Sequence, residues 1–144
     1  MNETSTKQPV TAETLQRDIN TPPFHKFLNI GVESVDAENG VVTLRLPFQA
    51  AFCRSPDVLQ IHGGVTSAFI DITGDYALVA VLGYGVPTIN LRLDFLRMAE
   101  NTDLVAVAKV IKAGRTIGVV DITVTDDNDR LIAIGRGNYS TRAG

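Results

Sequence analysis

A chain of 144 residues suits one domain with a sizeable core and leaves little room for a second. Its 13 basic and 16 acidic residues give a net charge of -3, and no basic block marks it as a partner for nucleic acid. The one cysteine, Cys53, excludes an internal disulfide and fits a reducing, cytoplasmic setting.

In chain order, the opening Met1-Asn2-Glu3-Thr4-Ser5-Thr6-Lys7 has no apolar run behind a basic cluster, so no signal peptide is expected. Residues 1 to about 12 are polar and expected to fray. Ala12 to Ile19 spaces Leu15 and Ile19 four apart, as a short amphipathic helix does. Thr21-Pro22-Pro23 ends it and favours a new helical turn carrying Phe24, Phe27 and Leu28. Residues 1–20 thus read as a partly helical N-terminal extension, and residues 21–144 as the main domain. Strands are expected over Ile30–Val35 and Val41–Leu46, joined as a hairpin through Asn39-Gly40. Phe48 to Gln60 reads as an irregular loop.

The next stretch, Ile61-His62-Gly63-Gly64-Val65-Thr66-Ser67-Ala68-Phe69-Ile70-Asp71, opens the one long helical pattern, which runs to about Leu82. Val65, Phe69, Ile72, Tyr76 and Val79 form one face. Ser67, Ala68, Gly74 and Ala77 opposite are small rather than charged, so the helix is expected to be buried on most sides. A carboxylate there, Asp71, is costly unless paired or used. At the front, two glycines follow His62 where a helix leaves its first N–H groups without partners. The dipole adds partial positive charge, which suits an anion or a carbonyl oxygen gaining negative charge.

After Gly83-Tyr84-Gly85 the pattern is all strand. Thr88–Arg97 alternates, with Ile89, Leu91, Leu93 and Phe95 on one side. Leu104–Lys112 and Thr116–Thr125 flank the turn Ala113-Gly114-Arg115. Asp126–Asp129 is a polar turn, and Leu131–Ser140 is the last strand. The longest apolar run, Ala77–Leu82, is too short to span a bilayer, so no membrane partner is expected. Two strands, one long helix and four further strands describe an α+β fold, an antiparallel sheet wrapped around the helix.

His62-Gly63-Gly64 at a helix start, with Asp71 nine residues after the His, resembles the hotdog-fold acyl-CoA thioesterases, most closely the PaaI-like branch known from phenylacetate degradation. Asn90–Ala99, Gly114-Arg115-Thr116 and Ile132–Gly137 extend the resemblance over roughly residues 24–140. It implies the hotdog fold, a six-stranded antiparallel sheet around one central helix. It implies hydrolysis of an acyl-CoA, with an aromatic or medium-chain acyl group and no cofactor beyond the coenzyme A of the substrate. It also implies a homodimer with sites shared between chains, often a dimer of dimers.

The resemblance assigns roles residue by residue. Gly63 matches the glycine whose N–H polarises the thioester carbonyl, and Asp71 the catalytic carboxylate. Thr88 lies near a hydroxyl residue that helps place the attacking water. His62 matches a mainly architectural histidine beside the substrate, with Gly64 next to it. Arg97 lies near positions that meet the coenzyme A phosphates, and Arg115 is a further candidate. Six residues before the His, where the family usually has Asn or Gln, stands Pro56; a one-residue shift would bring Ser55 into that role. Asp75 could share the Asp71 site or pair outward. His25 and Cys53 read as incidental, and no metal site is expected without further ligands at suitable spacing. Two other readings stand beside hydrolysis: an acyl-CoA hydratase or dehydratase on the same fold, and a non-catalytic acyl-CoA binding module.

Overall fold

The computed structural model describes residues 8–143; the expectation of a frayed start falls largely on residues 1–7, outside that range. Helix α1 (Ala12–Ile19) starts at Thr11, whose hydroxyl and backbone exchange hydrogen bonds with Thr14. Its apolar pair, Leu15 and Ile19, is buried in the core. Its polar side chains hold the next segment. Asn20 bonds both the N–H and the C=O of Ile30, and Gln16 accepts from the Val32 N–H. Helix α2 (Pro23–Leu28) begins at the second of the two prolines, with Pro22 as its N-cap, and ends at Asn29 in the left-handed conformation.

Strands β1 (Gly31–Asp36) and β2 (Val41–Leu46) form the expected hairpin, with Gly40 at φ 63° in its turn. The segment 48–60 is more regular than its sequence suggests. A 3-10 turn at Ala50–Phe52 leads into a small hairpin of β3 (Cys53–Ser55) and β4 (Val58–Ile61). Pro56-Asp57 sits at its tip, where proline fixes the first central turn residue. Strands this short carry too little alternation to be read from periodicity alone.

Helix α3 (Gly63–Leu82) is followed by β5 (Thr88–Phe95), β6 (Leu104–Ala113), β7 (Ile117–Thr125) and β8 (Leu131–Ser140). The main sheet has six antiparallel strands in the order β1-β2-β6-β7-β8-β5. It wraps around α3, which is the hotdog arrangement. The four late strands match expectation to within a residue or two at most ends. By length and hydropathy the 20 residues of α3 would suffice to cross a membrane, but half of that span is buried inside the fold.

The buried side of α3 overlaps the expected face only in part: Phe69 and Ile72 are buried, whereas Val65, Tyr76 and Val79 are half-buried. Phe69, Ile70, Thr73, Gly74, Ala77 and Leu78 face the sheet. Gly64, Ser67, Ala68, Asp71 and Asp75 form a stripe that stays partly or fully open. A helix whose apolar residues lie on every side has no strong amphipathic signal, so the packing partner, not the sequence, selects the face. Gly74 belongs to the tightest contact. A Cβ there would lie 2.2 Å from the hydroxyl oxygen of Tyr139 on β8. Gly135 likewise lets β8 approach Ile70, 2.9 Å from where its Cβ would be. The Tyr139 ring is fully buried, and its hydroxyl donates to the Asp71 carbonyl at 3.0 Å. Burial, then the charges of Asp71 and Asp75, push this phenol well above its ordinary range and keep it a donor.

Replacing Tyr139 by Phe keeps the ring and deletes that bond. The variant should fold identically and lose about 1 kcal/mol of stability, read as a lower denaturant midpoint at unchanged slope. An unchanged midpoint would mean that the hydroxyl contributes nothing to holding helix against sheet.

Candidate active site

The helix start distributes its backbone donors unequally. His62 is the N-cap, in extended conformation, and its ring Nδ1 accepts from the Gly64 N–H at 2.8 Å. The tautomer with its proton on Nε2 follows from that bond. The His62 carbonyl accepts from Val65 at 3.0 Å and from Thr66 at 3.4 Å. Among the described residues no acceptor meets the Gly63 N–H. The entry to the helix is fastened on two sides, by His62 N–H to the Phe52 carbonyl (2.8 Å) and Ile61 N–H to the Ala99 carbonyl (2.9 Å).

Gly63 borders a cavity of about 360 Å³ whose walls include Ile61, Thr66, Phe95, Leu96, Met98 and Ile132, with Arg54 and Arg97 also lining it. The Phe95 ring lies 3.4 Å from where a Cβ on Gly63 would be, so a larger residue would press on the cavity wall. A free backbone N–H at the positive end of a long helix, facing an apolar cavity, is a strong donor for an oxygen that gains charge.

Asp71 lies two turns along the open stripe of α3 and is part-buried, not buried as expected. Thr88, the first residue of β5, donates its hydroxyl to Asp71 Oδ1 at 2.7 Å. The Tyr139 hydroxyl, which donates to the Asp71 backbone carbonyl, also lies near this carboxylate. Asp75, one turn further, accepts from the Val86 N–H at 3.1 Å. Burial, reinforced by the Asp71 charge and opposed by the Val86 N–H, pushes its carboxyl up to about 6.

The sequence candidates therefore fall into three groups. Gly63 and Arg97 share the cavity, and Asp71 and Thr88 share a hydrogen bond. His62 and Gly64 are spent on each other at the cap. Ser55 and Arg115 join none of the three. The Ser55 hydroxyl faces the Asp57 N–H at 3.4 Å across the hairpin tip. Arg115 sits in the exposed β6–β7 turn, where Gly114 bonds Thr141 near the far end of α3. Sequence reading left out Arg54 and Phe95 as cavity residues and Tyr139 as a helix clamp. Among the described residues no three His, Cys, Asp or Glu side chains converge as a metal site.

Gly63 and Asp71 do not meet within one chain. Eight residues of helix separate them by about 12 Å, and Asp71 does not line the Gly63 cavity.

The family model described as the thioesterase superfamily matches residues 60–133, which run from β4 through α3 into β8. A protein of Halobacterium salinarum named "Putative esterase" is 32% identical over 139 residues, 89% of this chain and 90% of that one. A solved structure of a protein from the thioesterase superfamily superposes with a TM-score of 0.85 at 31% identity, covering 91% of this chain and 98% of that one. The E. coli PaaI protein, from the phenylacetic acid degradation operon, superposes with a TM-score of 0.73 at 26% identity over 83% of each chain.

Asp75 gives this region a pH signature. Its folded-state pKa, about 6, lies above the 3.8 of a free carboxyl. Folding therefore favours the protonated form. The stability this contributes is complete below pH 4 and is lost as pH rises to about 6. Asp75→Asn keeps an acceptor for Val86 and removes the charge. It should be more stable than wild type above pH 6 by on the order of 1 kcal/mol, after allowance for partial solvent screening, with the gap closing towards pH 4. Thermal melts from pH 4 to pH 8 check this.

Proposed function

Because the chain belongs to the thioesterase superfamily, we propose that it hydrolyses the thioester of an acyl-CoA carrying an aromatic or medium-chain acyl group. The observation that carries this reading is the unpartnered Gly63 N–H at the head of α3, opening on an apolar cavity with two arginines. In this reading the thioester carbonyl oxygen accepts from Gly63. Asp71, oriented by Thr88, either takes a proton from an attacking water or attacks the carbonyl carbon itself to give a mixed anhydride that water then opens. In both routes the C–S bond breaks, the sulfur leaves as thiolate and takes a proton, and the acid is released. Arg97 and Arg54 suit the phosphates of coenzyme A. An apolar acyl group finds support in the Phe95, Leu96 and Met98 side chains of the cavity wall.

The distance between Gly63 and Asp71 supports a site built from two chains. Antiparallel copies of α3, side by side on a two-fold axis, would set Gly63 of one chain against Asp71 of the other. The open stripe of small residues, Gly64, Ser67 and Ala68, suits such close approach. A homodimer is the unit this requires, and pairing of dimers into a tetramer is compatible with it.

Pro56 favours a second reading, a non-catalytic acyl-CoA binding module. Resembling enzymes place an amide side chain at that position, whereas here it is the tip of the β3–β4 hairpin. Tight binding of acyl-CoA without release of thiol would select that reading.

Asp71→Asn should lower turnover at least about a hundredfold on a panel of acyl-CoAs followed with a thiol-reporting dye, with the fold intact. Turnover within about threefold of wild type, less than roughly 1 kcal/mol of barrier, would sink the assignment.

The shared site has its own test. Gly63→Pro removes the N–H at the first helical position, where proline is tolerated. Mixed at random with Asp71→Asn, it should restore roughly a quarter of wild-type activity, because half the dimers are mixed and each holds one complete site. A verified mixed dimer with no recovered activity would place both groups within one chain.

A further inference from the structure

The open stripe of α3 carries a second carboxylate, Asp75, for which the proposed reaction has no step. It lies one helical turn from Asp71, where two like charges repel, so a role as mere surface solvation leaves its placement unexplained. Its one described partner is informative. Asp75 Oδ1 accepts from the N–H of Val86, inside the short connection that carries the chain from the end of α3 to Thr88.

This connection is also held by Tyr84, whose hydroxyl donates to the Thr141 carbonyl at 2.7 Å. It leaves the helix through Gly83 at φ 83° and passes Gly85, around which a Cβ would meet nothing within 4 Å. Val86 is buried, and the Pro87 carbonyl accepts from the Ser140 N–H at 2.8 Å. The sheet ladder does not set Thr88 alone. Thr88 pairs with Tyr139, but the register shifts between Thr88 and Asn90, so regular pairing starts only beyond it. Asp75 is the α3 side chain that holds the connection at Val86, two residues before Thr88.

We infer that Asp75 is a positioning residue: by holding the Val86 N–H it fixes the Val86-Pro87-Thr88 turn so that the Thr88 hydroxyl meets Asp71 Oδ1. This rests on the hydrolase reading for its effect on turnover, though not for its effect on the turn. The requirement is for an acceptor oxygen at residue 75, not for its charge. An amide oxygen therefore serves, and an apolar side chain does not.

The test compares Asp75→Ala, Asp75→Leu and Asp75→Asn, each alone and with Thr88→Ala, on the full chain. Leucine fills the same space and removes a part-buried charge, so it keeps the comparison open if the alanine variant folds poorly. Hydrogen exchange across residues 83–90 should quicken at least about tenfold in the Ala and Leu variants and stay near wild type in the Asn variant. Where wild-type turnover is present and Asp71→Asn abolishes it, kcat should fall about tenfold in the Ala and Leu variants with KM within about twofold. Asp75→Asn should retain most of the lost turnover, and the Ala change should add nothing in the Thr88→Ala background. Unchanged exchange in Asp75→Ala and Asp75→Leu overturns the inference whatever the activity. So does an Asn variant as impaired as the Ala variant, or a double variant whose losses multiply. A chain with normal loop protection but no acyl-CoA turnover would instead sink the hydrolase reading and leave the anchoring role standing.

Discussion

A buried phenol sets the distance on which the site depends. Tyr139 stands on β8 beneath α3, and its hydroxyl reaches the Asp71 carbonyl only because residue 74 has no side chain. The same residue is the ladder partner of Thr88 on β5. One position of one strand therefore registers both members of the Asp71–Thr88 pair, one through its side chain and the other through its backbone. Small residues at Gly74 and Gly135 are needed for that closeness. A methyl group at residue 74 would fall 2.2 Å from the Tyr139 hydroxyl oxygen and displace it from the Asp71 carbonyl.

The start of α3 follows a different logic, one of scarcity. Four backbone donors emerge there, and three are taken within the turn, by the His62 ring and the His62 carbonyl. The helix field thus falls on a single exposed N–H instead of being spread across a row. A histidine cap does this where a serine or aspartate would do it equally well for helix stability. The ring additionally places an apolar body beside the donor it leaves free.

Much of this was legible in the sequence, for identifiable reasons. Long strands such as Leu131–Ser140 and hairpins punctuated by Asn39-Gly40 or Asp126–Asp129 carry their periods and turns in local chemistry. The His62-Gly63-Gly64 start and Asp71 could be singled out because glycines and a carboxylate are out of place in so apolar a segment. The face of α3 could not, since its apolar residues lie on every side and only the sheet decides which are covered. The hairpin at 53–61 was hidden because two strands of three and four residues have no period to detect. Arg54, Phe95 and Tyr139 were invisible as site residues because their relevance comes from long-range pairing, between β4 and the 96–99 segment or between β8 and the helix.

Strand β5 ends the sheet on one side, and large apolar side chains cluster along and just beyond it: Ile89, Phe95, Leu96 and Met98 are each at least half exposed. An uncovered row of strand donors and acceptors beside such side chains is a template for joining another strand. In an isolated chain it is a hazard, and covered by a second copy it becomes part of the core. The free energy of folding and that of assembly are then not separable quantities. For a site completed across two chains, concentration becomes a structural variable: dilution would lower turnover per chain and stability together.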